Sequence, residues 1–184
     1  MKRKDFLIVA IVPLFVLLIP LVGNITVEGW NWTWHDFLFA WVVFATTTFI
    51  YRFIATRAVA NLTYRLGAGL AVAAGFFIFW MTAAVQIIGD ENPGNILYLG
   101  VIVTGLTGVG LARFKPAGMA KAAFVTAAAT FLVPVIAFLF WPADFSPGVG
   151  QVFVLNFCFV LMFVGAGLLF RQSSLMRTQP AQHA

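Results

Sequence analysis

The sequence predicts an all-α, polytopic membrane protein: a bundle of six transmembrane helices with both termini in the cytoplasm. Three observations predict it. Of 184 residues, 62% are apolar and only 9% are charged, with a mean hydropathy of +0.98. So few charges cannot cover the surface of a soluble globule. The apolar residues gather into six long runs, and every Lys and Arg lies in or beside alternate connecting segments.

A run that crosses roughly 30 Å of hydrocarbon at about 1.5 Å per residue needs about 20 residues, fewer where its flanks extend it. The first, residues 6–22, follows Lys2-Arg3-Lys4 and contains Pro13 and Pro20, which should bend it. Its end, Leu21-Val22-Gly23, makes a poor small-x-small cleavage site, so the run is expected to stay as a span and not to leave as a signal peptide. The second run, 37–54, carries Thr46-Thr47-Thr48; at 100° intervals these cannot line one pore, and each hydroxyl can bond the carbonyl one turn back. Arg52 near its end is expected to snorkel to the interface. The third, 66–88, has a row of small residues at Gly67, Ala71 and Gly75 and carries Gln86 near its end. The fourth, 96–112, has Gly100, Thr104, Gly108 and Ala112 at every fourth position, a pattern that lets helices approach closely in lipid and reads as a packing seam. The fifth, 122–141, should bend at Pro134, and the sixth, 152–170, holds Asn156 and Cys158 and is thinned by Gly165 and Gly167. Residues 171–184 form a short tail. No loop exceeds about fourteen residues, so one bundle takes up the whole chain.

Orientation follows from charge. The side with the amino terminus, the second and fourth loops and the tail has all eleven basic residues and Asp5, a net +10. The other side has Glu28, Asp36, Asp90, Glu91 and Asp144, a net −5, and the chain as a whole carries +5. An excess of Lys and Arg in short loops marks the cytoplasmic face. The basic balance therefore reports topology and predicts no nucleic-acid partner.

The composition excludes much chemistry. The polar residues within the spans are threonines, Gln86 and Asn156, and none is ionisable, so a proton relay or ion-coupled transporter lacks its carriers. His35 and His183 cannot clasp a haem between helices, and a single cysteine excludes disulfide frameworks and thiolate metal clusters. No phosphate-binding loop, dinucleotide fingerprint or zinc-protease motif occurs. No cofactor and no metal are expected. Asn92-Pro93-Gly94 resembles half a water-channel signature, but it is a single copy in a short acidic turn.

The outer face is the most distinctive region. Trp30, Trp32 and Trp34 alternate ahead of the second span, which in an extended segment gives one aromatic side; with Trp41, Trp80 and Trp141 they suit an interfacial belt or an apolar partner. His35 beside Asp36, with Glu28, Asp90 and Glu91 on neighbouring outer loops, has the groups for a cation site or acid–base pair, without a diagnostic spacing. Gln86 and Asn156 are candidates for polar contacts between helices or with an uncharged solute.

The cytoplasmic turn Ala112-Arg113-Phe114-Lys115-Pro116-Ala117-Gly118-Met119-Ala120-Lys121-Ala122 breaks the helix and sets three cations near anionic headgroups. Together with Asn31-Trp32-Thr33 leading into Asp36-Phe37, and Gly89-Asp90-Glu91-Asn92-Pro93, it resembles a group of small multi-pass proteins of the bacterial inner membrane. The resemblance runs over most of the chain. It implies a bacterial host and an inner-membrane location, and it brings no activity or catalytic residue. The expected role is a non-enzymatic interaction or accessory subunit, with membrane lipids and another membrane protein or a second copy as partners. The alternatives are a small channel or transporter for an uncharged solute or lipid and, more weakly, an outer-face enzyme using His35 and Asp36.

Overall fold

The computed structural model of the chain describes residues 3–57, 61–89, 92–142, 145–146 and 148–178, among which all regular structure is helical. Six helices are long and apolar enough to cross a membrane. The chain divides into two compact units, residues 1–56 and 57–184.

The first unit is an antiparallel hairpin of α1 (Arg3–Thr26) and α2 (Trp34–Arg57). Helix α1 runs through Pro13 and Pro20 without a break, although each proline leaves the carbonyl four residues earlier without its usual donor. Gly29, at φ +87°, turns the chain in a conformation that suits a residue without a Cβ. The start of α2 is held by a reciprocal cap. Asp36, in the first turn, accepts both the backbone N–H and the hydroxyl of Thr33 at 2.7 Å, while the Thr33 carbonyl accepts from Asp36 and Phe37. At the opposite end of the hairpin Arg52 forms an ion pair with Asp5, which is 5% exposed. Arg52 is therefore partnered within the protein and does not simply reach for the interface.

The second unit contains α3 (Leu62–Ala84), a 3-10 turn at Pro93–Ile96, α4 (Leu97–Ala112), α5 (Pro116–Phe140) and α6 (Val149–Thr178). Asn61 caps α3 by accepting from the Tyr64 N–H at 2.9 Å. Arg113 and Phe114, both at positive φ, turn the chain from α4 into α5, and Pro116 opens α5 where its missing N–H is not needed. In space the order is α4, α5, α6, α3: α5 packs on α4 and α6, α6 packs on α5 and α3, and α3 touches α4 only lightly.

Small residues set these approaches. A Cβ on Gly108 would lie 2.8 Å from that of Ala122, and one on Gly167 would lie 2.8 Å from the Phe124 ring, so α5 is met by glycine on both sides. Two residues before Gly167, and so about 200° around α6, a Cβ on Gly165 would lie 3.0 Å from the Leu70 side chain of α3. The core between the helices is apolar, with Ala74, Ile78, Val101, Ala127, Val133 and Phe159 among its buried residues.

The ends of this unit are tied together. Tyr64 donates from its hydroxyl to the Phe114 carbonyl at 3.1 Å, and Ser173 donates to the Asn61 side chain at 2.9 Å. These bonds gather the start of α3, the α4–α5 turn and the end of α6, so Arg65, Arg113, Lys115 and Arg171 share one end. At the other end the Ser146 N–H donates to the Ile88 carbonyl at 3.0 Å.

Most helices extend beyond their apolar runs, α5 by six residues at its start, whereas α3 ends early. Helix α3 stops at Ala84, four residues before the run ends, with Gln86 in the left-handed region at φ +51°. Ile87 and Ile88 stay buried in the turn that follows, where the Asn95 side chain accepts from the Ile88 N–H at 3.1 Å and donates to the Gly89 and Asn92 carbonyls. An apolar run continues through a turn when the turn itself is buried and its backbone is satisfied by a side chain. Helix α6 continues to Thr178, eight residues beyond the predicted span and into the expected tail.

Candidate functional site

One buried polar cluster inside the second unit is built around a proline. Pro134 has no N–H to give to the Thr130 carbonyl one turn earlier, which would leave that oxygen orphaned in an apolar core. Asn156, on the neighbouring α6, supplies the donor: its Nδ2 lies 3.1 Å from the Thr130 carbonyl. Its Oδ1 in turn accepts from the Tyr98 hydroxyl at 3.1 Å, and Tyr98 belongs to α4. One amide thus joins three helices. The cluster is closed: Tyr98, Thr130 and Asn156 are at most 1% exposed. The Thr130 hydroxyl returns to the Thr126 carbonyl at 2.7 Å.

Beside this cluster, between the end of α3 and the start of α4, lies a cleft of about 350 Å³. Phe79, Ile96, Leu99 and Ile102 form much of its apolar wall, and Thr82, Gln86, Asn95 and Tyr98 also line it. Asn95 is fully engaged by the turn it organises. Tyr98 links the two places: it is among the residues lining the cleft, and its hydroxyl donates to Asn156. Thr82 is different. Its hydroxyl oxygen is buried and has no hydrogen-bond partner.

The residues singled out from the sequence fall in four places. Asn156 is at the centre, bonded across helices as described. Gln86 is exposed at the cleft rim, after the end of α3 and not within it. Of the row on α4, Gly108 and Ala112 face α5, where the Ala112 Cα lies 2.9 Å from a Cβ placed on Gly118. Gly100 meets nothing within 4 Å, and the Thr104 hydroxyl folds back to the Gly100 carbonyl at 2.7 Å. A strict four-residue repeat drifts about 40° per step around an α-helix, so its two ends cannot share one face. Gly105, on which a Cβ would lie 3.6 Å from Thr126, takes the place against α5 that the drift removes from Thr104.

The aromatic segment lies in the hairpin unit. Trp30 packs its ring on Gly23, where a Cβ would come within 2.8 Å, and meets Trp32 edge-on at 6.0 Å. Asn24 fixes the backbone of Trp32 from both sides, accepting from its N–H at 2.7 Å and donating to its carbonyl at 3.3 Å. Trp34 does not continue the alternation, because α2 begins there; it is 68% exposed, with the His35 ring 3.5 Å from its own between centroids. His35 is exposed, and the Asp36 carboxylate is committed to Thr33. Among the described residues no three His, Cys, Asp or Glu side chains converge on a metal position. Asp90, Glu91 and Asp144 lie outside the described residues. Cys158 is exposed on α6.

Tyr98, Asn95 and the Thr130 carbonyl carry the site without standing out in the sequence. Pro134 is the signal for the last of these, since a proline in a buried helix names the carbonyl it orphans. Comparison with family models, with curated proteins and with solved structures found no match.

Proposed function

We propose that the chain is a multi-pass protein of the bacterial inner membrane, with both termini in the cytoplasm, that acts without enzymatic chemistry as an interaction or accessory subunit. The observation that carries this reading is the closed state of the polar centre. Asn156, Tyr98 and the Thr130 carbonyl bond to one another at 0–1% exposure, and a group already satisfied inside a close-packed core has nothing to offer a passing solute. The clustering of Arg65, Arg113, Lys115 and Arg171 at one end of the second unit supports a cytoplasmic assignment for that end. The large apolar side chains exposed on every helix suit lipid and neighbouring membrane helices as contacts.

Two experiments test this. In proteoliposomes, glycerol and urea should equilibrate no faster than in empty vesicles; a several-fold faster flux would replace the reading with that of a channel for an uncharged solute. A thiol-labelling reagent that cannot cross the membrane should modify a cysteine placed at Lys121 and one placed at Asp90 from opposite sides. Labelling of both from one side would overturn the topology.

A further inference from the structure

The cleft between α3 and α4 has three properties that together describe a ligand. The first is depth. Thr82 stands two residues before the last residue of α3, about 3 Å from the helix end, while Phe79 and Ile102 reach about 8 Å inward. In a protein that spans the membrane this is the boundary between headgroups and hydrocarbon, where the ester carbonyls of a glycerophospholipid lie above its acyl chains. The second is polarity: Gln86 and Asn95 lie toward the mouth beside the apolar Ile96, Thr82 lies below them, and Phe79 and Ile102 form the inner end.

The third is the Thr82 hydroxyl. Six other helical threonines, at 26, 47, 56, 104, 126 and 130, donate to the carbonyl four residues back at 2.6–2.8 Å. Thr82 does not, although its oxygen is buried. A buried hydroxyl without a partner is costly, and threonine on a helix divides between two side-chain rotamers.

We propose that this cleft binds one glycerophospholipid, with an acyl chain lying between α3 and α4 against Phe79 and Ile102. Thr82 turns about its side-chain bond and donates to an ester carbonyl. The light packing of α3 on α4, neighbours in sequence, is then the space the chain occupies. The inference rests on the membrane-spanning reading above but not on the accessory role.

Native mass spectrometry of the full chain in mild detergent, with dioleoylphosphatidylethanolamine added, reads the outcome directly. The wild type should retain one phospholipid per chain. Ala83→Phe, which fills the cleft from its wall, should abolish retention. Ala84→Phe, on the same exposed turn but outside the lining, should leave it unchanged and shows that a bulky ring alone is tolerated. Thr82→Val keeps the shape and removes the donor; it should weaken retention about fivefold, the worth of one net hydrogen bond. Retention by Ala83→Phe equal to that of the wild type, no retained phospholipid in any form, equal retention by Thr82→Val, or preferential retention of an added prenylquinone would each overturn the proposal. Failure of the labelling experiment at Lys121 and Asp90 would instead strike the topology, and the two failures are distinguishable.

Discussion

The second unit holds two polar places a few side chains apart, and they are built on opposite principles. At the closed centre each polar group serves another: the proline opens a carbonyl, the asparagine fills it, and the tyrosine completes the asparagine. In the cleft a hydroxyl of the same chemical kind sits in the wall with nothing to bond. Tyr98 belongs to both, and what separates them is whether a neighbouring helix presents a complementary group. The lesson is that residue type does not separate a structural polar group from an available one, whereas a count of satisfied donors and acceptors does.

Substitutions can break this contrast. Asn156→Leu should have the largest effect, because it unpairs both the Tyr98 hydroxyl and the Thr130 carbonyl; a loss of about 2 kcal/mol is expected, read as a lower unfolding midpoint in detergent. Adding Pro134→Ala to Asn156→Leu should recover about 1 kcal/mol, since the restored backbone N–H reaches the Thr130 carbonyl from within α5. If the double variant is no more stable than the single one, the proline–asparagine pairing is not what holds that carbonyl. Tyr98→Phe should cost about 1 kcal/mol, as it removes one hydrogen bond and leaves the Asn156 oxygen short of a donor. Thr82→Val should not lower stability in lipid-free detergent and should raise it by up to about 1 kcal/mol, for it removes a buried hydroxyl that has no bond to lose. A loss of stability on Thr82→Val as large as that of Tyr98→Phe would erase the distinction between the two places.

The same reasoning applies to the row of small residues. Gly108→Ala brings a methyl to 2.8 Å from Ala122 and should loosen α4 from α5, whereas Gly100→Ala meets open space and should be neutral. Comparing their unfolding midpoints tests the helical drift that separates them.

Much of the helical architecture is legible in the sequence because lipid imposes a length on each apolar run, and six runs become six helices. The end of α3 is not legible, because Ile87 and Ile88 are as apolar in a buried turn as in a helix, and the residue that satisfies the backbone of that turn, Asn95, comes after it. Asn156 stands out as a polar residue within a span, but its partners depend on how α5 and α6 slide against each other, which no local pattern records. The alternation of Trp30, Trp32 and Trp34 promises one aromatic side. It is cut short because Asp36 caps a helix that starts at Trp34, and a cap of this kind is a three-residue signal that competes with the two-residue alternation.

The spatial order α4, α5, α6, α3 has a consequence for biogenesis. Helix α3 is made before α4 and α5, yet the surface it packs on belongs to α6, which leaves the ribosome after all three. Until residues 149–178 are inserted, its Gly67 face, which lies against Ala166 and Phe170 in the finished protein, has no protein neighbour. Nascent chains arrested before α6 should therefore expose α3 to quality-control proteases and to insertion chaperones, while the hairpin of α1 and α2 can already form its own internal bonds.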